Sequence, residues 1–352
     1  MSRTYRKNEH LAGVLRGKPG RADFSDIGFV HNCLPDRDFN LVCLESSYLG
    51  RTFRSPLFIN AITGGTELAA RINVSLALVA KECGIPLALG SQMVALGSSS
   101  VSARRSFAIT RKLNLQGEIW ANLGSYATPA MAAEAVKMIR ADALQVHLNL
   151  PQELAMPEGE RSFSGTVERI KALAATSPVP VIVKEVGFGI AATQAEALVA
   201  SGVSALDIGG RGGTNFLQVE NRRSGGLLSP ATLSWGIPTA ISLLEVYEAV
   251  GGKTSIFATG GMHNPLDMAK ALAIGASAIG MAGFPLYILH RYGRRALVRV
   301  IRAIEHELRM VIFMAGASNL EELRRVPLVI TGYTAQWLRR RGFSPDQYAQ
   351  RK

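Results

Sequence analysis

The segment His147–Glu153 (HLNLPQE) gathers more chemistry-bearing side chains than any other stretch of this chain. Through Ala143–Asn149 a strict alternation puts Gln145, His147 and Asn149 on one strand face and Leu144, Val146 and Leu148 on the other. Polar side chains on the inward face of a buried strand are costly unless they meet a ligand or one another. The trio therefore reads either as ligand contacts or as a hydrogen-bond network that fixes the strand. Gln152 and Glu153 follow as the chain leaves the strand. Glu153 is either a solvated loop carboxylate or a hard oxygen donor for Mg²⁺, which favours carboxylate, water and phosphate together.

Other residues extend the list. Lys184 closes an apolar run (VPVIVK), where a lysine is either charge-paired or poised near an anion or an electron-rich ring. Thr214 and Asn215 stand in a glycine-rich turn as neutral hydrogen-bond donors. Two later turns, Thr259–Gly261 (TGG) and Gly280–Gly283 (GMAG), present backbone N–H groups with little side chain in the way, which suits a phosphorylated cofactor. Either turn alone also reads as an ordinary tight turn. At the N-terminus Arg6, Lys7 and His10 form a compact cationic set. It reads as a phosphate clamp, with Arg6 bidentate and Lys7 a point charge, or as a solvated basic tail.

These residues need elements to position them. Eight short apolar runs alternate with helical patterns: Pro56–Ala61, Ile85–Gly90, Gly117–Leu123, Ala143–Leu148, Val179–Glu185, Ser204–Gly209, Thr254–Thr259 and Ser277–Met281. Glycine or polar residues follow every run, which places one functional face at the C-terminal ends of the strands. No GxGxxG follows the first strand, as an open dinucleotide-binding sheet would require. The predicted fold is an α/β (β/α)8 TIM barrel forming one domain over 1–352. Residues 1–55 form an N-terminal extension, 56–315 the barrel and 316–352 a C-terminal extension, with Phe284–Ala315 as a long basic last helix.

Composition fits that architecture. Of 352 residues, 47% are hydrophobic, enough for a large core, and 35 glycines suit many tight strand-to-helix turns. A net charge of +12 raises the possibility of a nucleic-acid partner, but the basic residues are dispersed and no zinc-finger or RNA-binding motif accompanies them. The charge fits an anionic small substrate equally well. Cys33, Cys43 and Cys83 have neither disulfide nor metal spacing. With no apolar leader and no membrane-length apolar run, the chain reads as a cytoplasmic protein without nucleic-acid or membrane partners.

With these motifs in view, the chain resembles the type 2 isopentenyl-diphosphate isomerases, flavin-dependent isomerases of isoprenoid biosynthesis. The likeness runs through RKNEHL (Arg6–Leu11), NAITGG (Asn60–Gly65), GSQ (Gly90–Gln92), ANLG (Ala121–Gly124), QVHLNLPQE (Gln145–Glu153), PEGERSFSG (Pro157–Gly165), PVIVKEVGFG (Pro180–Gly189), DIGGRGGTNF (Asp207–Phe216), WGIPT (Trp235–Thr239) and AKALAIGA (Ala269–Ala276). It implies FMN, Mg²⁺ and a flavin reduced by NADPH or NADH. It implies interconversion of isopentenyl and dimethylallyl diphosphate by a 1,3-proton shift, with N5 of the reduced flavin exchanging protons, in a homo-oligomer (tetramer or octamer).

By position it implies that Ile62, Thr63, Gly64, Ser91, Asn122, Lys184 and Thr214 contact FMN, while Gly260, Gly261, Ala282 and Gly283 hold its phosphate region. Arg6, Lys7 and His10 would bind the substrate diphosphate, in their own or a neighbouring subunit. Gln152 would lie beside the substrate with His147 and Asn149 assisting, and Glu153 would bind Mg²⁺. Two places depart from the family pattern: Ser91-Gln92-Met93 replaces SQR, and Gly261-Met-His263 replaces a GGIR-like run. The alternative on the same barrel is an FMN-dependent 2-hydroxy-acid oxidase or dehydrogenase. It would need a histidine base and an arginine clamp near the seventh strand, where His263 stands.

Overall fold

The computed structural model describes residue 11, residues 19–97 and residues 101–352. Eight parallel strands close into a barrel in chain order: β1 (Leu57–Ile59), β2 (Leu87–Ala88), β3 (Ile119–Gly124), β4 (Ala143–Leu148), β5 (Val181–Glu185), β6 (Ala205–Asp207), β7 (Ser255–Ala258) and β8 (Ala278–Met281). β8 pairs with β1 through Ile279–Leu57 to complete the ring. Each strand falls on its run anticipated from the sequence, with ends trimmed by up to a few residues, except that β3 runs one residue further, to Gly124.

Closure dictates what faces inward. Near the bottom, β1, β3, β5 and β7 contribute Phe58, Trp120, Ile182 and Phe257, while β2, β4, β6 and β8 contribute Ala88, Ala143, Ala205 and Ala278. Large side chains from odd strands interdigitate with alanines from even strands, filling the interior without overpacking. Trp120 and Phe257 stack with ring centroids 5.7 Å apart, and Phe58 tilts against Trp120 at 4.9 Å. Below them the hairpin Ser46–Tyr48/Arg51–Phe53 inserts Tyr48, whose ring meets Phe257 edge-on at 5.2 Å. Burying each large side chain contributes roughly 1.5–3 kcal/mol. The barrel floor is therefore a closed apolar plug, and ligand space lies only above it.

Leu144 and Val146 on the opposite face of β4 are fully buried in the outer core. Local signals set the helices that cover it. Thr66 caps Glu67–Cys83 by accepting from the Ala69 N–H, and Gly84 ends that helix in the left-handed region (φ +64). Thr128 caps Pro129–Ile139, with Pro129 at the first helical position. The last helix, Gly283–Met314, is broken at Gly293 (φ +79). The sequence reads Phe284–Ala315 as one long basic barrel helix, and Gly293 divides it. The extensions meet each other: strand Ile27–Phe29 pairs antiparallel with Leu328–Ile330. Glu245, buried in helix Thr239–Val250, accepts from Trp337 Nε1 (2.7 Å) and Arg341 Nε (3.0 Å), tying the C-terminal helix Gly332–Arg340 and the residue after it to the barrel. No helix among the described residues is long and apolar enough to cross a membrane.

Candidate active site

Above the aromatic plug each strand climbs two residues to a second inward layer: Asn60, Gly90, Asn122, Gln145, Lys184, Asp207, Thr259 and Gly280. Two residues higher again, Gly124, Gly209 and Gly261 let Tyr126 and neighbouring backbone pack closely against the strand ends. A cavity of about 650 Å³ opens there, at the C-terminal mouth. Its wall includes Ile62, Thr63, Gly64, Ser91, Asn122, His147, Asn149, Gln152, Glu153, Lys184, Thr214, Gly260, Gly261, Ala282 and Gly283. Fifteen site residues anticipated from the sequence thus share one cavity wall. Arg6, Lys7 and His10 lie outside the described residues. The extension they belong to reaches the wall where the description resumes, at Pro19 and Gly20.

The mouth has two chemically distinct sides. On one, the β6 and β7 exits pack backbone against backbone. A Cβ on Gly260 (φ +104) would stand 2.1 Å from the Gly210 carbonyl oxygen, and one on Gly261 (φ +82) 2.2 Å from that of Gly212. Only glycine fits these positions. Ala22 N–H donates to the Gly261 carbonyl (3.0 Å) and the Thr239 hydroxyl to that of Gly260 (2.7 Å), bracing the turn. Beside it the last helix begins at Gly283 with its first N–H groups unclaimed by the helix. His263 stacks on Phe284 (centroids 4.9 Å, 19°), and its Nε2 is buried without a hydrogen-bond partner among the described residues. Burial holds the His263 pKa below the usual histidine range, against the Gly20 backbone and the nearby Asp267 carboxylate. Glycine backbone, a helix N-terminus and an orphaned ring nitrogen form a cradle for phosphate oxygens.

The other side carries the carboxylates and amides. After β4 the chain turns at once into a short helix, Leu150–Ala155, which sets Gln152 and Glu153 on the wall. Glu153 is 9% exposed, and its oxygens accept from Asn149 Nδ2 (2.7 Å) and the Glu160 N–H (2.9 Å). Asn149 therefore orients this carboxylate. Among the described residues no three acidic, histidine or cysteine side chains gather as a metal site. One carboxylate suits Mg²⁺ that keeps water and phosphate as its remaining ligands, and the donor is of the right type. Gln152 donates through Nε2 to Glu220 (3.2 Å), which is wholly buried and also paired with Arg223 Nε (2.7 Å). That bond turns the Gln152 carbonyl oxygen away from Glu220 as an acceptor. At the centre, Lys184 is 5% exposed and donates to the Glu185 carbonyl (2.9 Å). Burial pushes the Glu185 carboxyl up, opposed by the Phe188 and Gly187 N–H groups and the Lys184 charge.

Sequence reasoning missed Glu220, Arg223 and Thr239, which support wall residues from helices distant in the chain. Asn215 does not line the cavity; its carbonyl caps Phe216–Arg223 through the Gln218 N–H (2.9 Å).

Comparison with known proteins follows the same lines. The family model for FMN-dependent dehydrogenases matches residues 98–329. A protein of Bacillus pumilus named isopentenyl-diphosphate delta-isomerase is 44% identical over 353 residues, covering 100% of this chain and 98% of its own length. Its namesake in Moorella thermoacetica is 44% identical over 338 residues, 96% of each chain. Among solved structures, mandelate oxidase with (S)-2-phenylpropionate has a TM-score of 0.65 at 19% identity, covering 92% of this chain and 90% of its own. At that identity the likeness is one of fold.

Proposed function

The chain belongs to the isopentenyl-diphosphate delta-isomerase family, and from that premise we propose that its mouth interconverts isopentenyl and dimethylallyl diphosphate with a reduced FMN and Mg²⁺. The observation carrying this reading is the single cavity in which a phosphate cradle (Gly260, Gly261, Gly283, His263) faces an amide and carboxylate wall (Gln152, Glu153). In the reaction a proton adds to the terminal alkene carbon and another leaves the carbon two positions away, with no net redox change. Bound and reduced, the flavin supplies an electron-rich ring and a proton-exchanging nitrogen beside the positive charge that develops on the substrate.

The chain's residues divide the remaining work. Ile62, Thr63, Gly64, Ser91, Asn122, Lys184 and Thr214 hold the isoalloxazine and ribityl region, and Gly260, Gly261, Ala282 and Gly283 the phosphate. Gln152 presents its carbonyl oxygen to the substrate, held by Glu220. His147 and Asn149 assist by orientation, and the apolar floor excludes water from below. Charge balance supports Mg²⁺. The described wall carries Glu153 and Glu160 against Lys184, with Glu158 paired to Arg223 and the Glu185 carboxyl pushed up by burial, so a diphosphate there needs added cations. Glu153 would hold the metal, and Arg6, Lys7 and His10 would complete the neutralisation. NADPH or NADH as reductant, a cytoplasmic location and a homo-oligomer belong to the same reading.

The deciding experiment is anaerobic incubation of the NADPH-reduced holoprotein with isopentenyl diphosphate in D₂O, with and without Mg²⁺, read by NMR. Dimethylallyl diphosphate carrying deuterium in a methyl group is expected, and much more of it with Mg²⁺. Absence of product under both conditions overturns the assignment.

A further inference from the structure

The layer directly above the aromatic plug is polar and buried, with Asn60 and Asn122 at the bottom of the cavity. Asn60, Asn122, Gln145 and Asp207 are 4%, 3%, 0% and 0% exposed, and each stands two residues above a plug residue on its own strand. They form one continuous chain of hydrogen bonds. Asn60 Nδ2 donates to Asp207 Oδ2 (2.7 Å), Gln145 Nε2 to Asn60 Oδ1 (2.9 Å), and Asn122 Nδ2 to Gln145 Oε1 (3.0 Å). The last link joins Asn122 Oδ1 to His147 Nδ1 at 2.8 Å.

The polarity of that chain follows from its anchors. Asp207 is surrounded by donors: Asn60 Nδ2 on one oxygen, the Thr259 hydroxyl and the Gly209 N–H on the other. Burial pushes the Asp207 carboxyl up, while the Lys184 charge and these bonds oppose it; of these partners only the Thr259 hydroxyl could accept a carboxyl proton, and that leaves Oδ2 an acceptor for Asn60. Independently, the Ala61 N–H donates to Asn60 Oδ1 at 2.7 Å, so the Asn60 amide cannot turn over without losing both bonds. Gln145 must therefore give its N–H to Asn60 and offer its carbonyl to Asn122. With its Nδ2 turned to Gln145, Asn122 presents its carbonyl oxygen to His147. Gln92 Oε1 accepts from the Asn122 N–H (3.2 Å) and keeps that strand residue in register. Reversing any link sets carbonyl against carbonyl among side chains that are almost wholly buried.

We propose that this one-way relay from Asp207 fixes His147 as the tautomer protonated on Nδ1, making Asn60, Gln145 and Asp207 positioning residues for the mouth. His147 lines the cavity, so in the neutral ring Nε2 is an acceptor and not a proton donor. The consequence for catalysis rests on the isomerase reading. His147 would orient an N–H or O–H of the bound ligands, and the proton that adds to the alkene would come from another group.

Solid-state ¹⁵N NMR of the full-length holoprotein, labelled at histidine, reads the tautomer without relying on activity. The His147 signals are those absent from His147→Gln. Wild type is expected to show Nδ1 protonated and Nε2 unprotonated. Gln145→Met keeps the volume and removes the link, freeing the Asn122 amide to turn, and the His147 signals shift toward the Nε2–H form. Gln145→Glu, which burial keeps protonated on the oxygen facing the Asn60 carbonyl, retains both that donor and an acceptor for Asn122 and restores the Nδ1–H form. A wild-type ring protonated on Nε2 overturns the relay, as does an imidazolium at neutral pH or a Gln145→Met spectrum unchanged from wild type. If Gln145→Met does not fold, the wild-type spectrum and Gln145→Glu still decide. Conversion of isopentenyl diphosphate is measured on the same wild-type sample. The expected tautomer without conversion retires the isomerase reading and leaves the relay standing, whereas conversion with the wrong tautomer retires the relay alone.

Discussion

Gly261→Ala tests the phosphate cradle most directly. At φ +82 a non-glycine residue costs about 1–2 kcal/mol. The added Cβ would also stand 2.2 Å from the Gly212 carbonyl oxygen and 2.4 Å from the Ala22 nitrogen. Both are backbone atoms, which cannot swing aside as a side-chain tip would. The first contact must open to at least 3.0 Å, and the Ala22 nitrogen that crowds the added Cβ is also the donor to the Gly261 carbonyl. Overpacking of this kind costs about 1–3 kcal/mol, so the turn is destabilised by about 2–5 kcal/mol in total. If flavin binding must restore the closed turn, FMN affinity falls by about 30-fold to several thousand-fold. Quenching of flavin fluorescence during titration of the flavin-free protein measures it. Riboflavin, which lacks the phosphate, should lose much less. FMN affinity within about threefold of wild type would refute the cradle, and an equal loss for riboflavin would place the damage elsewhere in the site.

Two further outcomes follow from buried carboxylates. Glu220→Gln removes the charge that holds the Gln152 amide and pairs with Arg223, and lets the Gln152 side chain turn over. Its kcat should fall about 10- to 100-fold, some 1.4–2.8 kcal/mol of barrel-mouth positioning, with KM changed much less; a kcat equal to wild type would show that Glu220 does not orient Gln152. Glu245 is pushed up by burial, but the bonds from Arg341, Trp337 and the Ala192 N–H outweigh this and leave its pKa below the ordinary glutamate value. A depressed carboxyl contributes stability that is present above its unfolded pKa and is lost as pH falls through the folded value, so this contribution disappears below about pH 4.5. Because Arg341 is 43% exposed, Glu245→Gln should cost about 1–3 kcal/mol at neutral pH, less than a fully buried pair. It should also flatten the acid limb of stability measured by chemical denaturation. An unchanged acid limb would refute the assignment.

The barrel was legible because each strand is an apolar run of the right length that ends in glycine or a polar residue. The mouth was legible for the same reason. Alternation alone also placed Gln145 and His147 on one face of β4. It could not show that Asn60 and Asp207, each at the end of its own run, come together 147 positions apart to anchor Gln145. That requires the register of a closed barrel, in which Lys184 stands level with both His147 and Asp207. The two readings of the inward polar residues, ligand contact or structural network, turn out to be joined. Gln145 is wholly inside the network, and His147 belongs both to it and to the cavity wall. Glu220 and Arg223 look like solvated helix charges in sequence. Their burial depends on helix Phe216–Arg223 packing against the short helix after β4, some 68 residues earlier. The break at Gly293 was hidden because apolar residues keep helical spacing on both sides of it, and one interior glycine costs a helix only about 1 kcal/mol.

The same fold serves mandelate oxidase, so the barrel cannot by itself decide between redox chemistry and a redox-neutral proton shift. The wall residues discriminate. A 2-hydroxy acid needs a base for its proton and an arginine for its carboxylate, and the sequence offered His263 as the nearest base. In the structure His263 lies flat on Phe284 beside the start of the last helix and next to the Gly260–Gly261 turn, at the phosphate end of the cavity. Burial lowers its pKa, and its Nε2 has no hydrogen-bond partner among the described residues. Among the described residues no arginine lines the cavity. What faces the remaining space is a carboxylate oriented by Asn149, an amide oriented by Glu220 and a histidine oriented through Asn122. Each of the three is held by a neighbour that fixes which atom it presents, and none is placed to clamp a carboxylate. That is the wall expected where a metal-bound diphosphate must be held still while a proton is added and another removed.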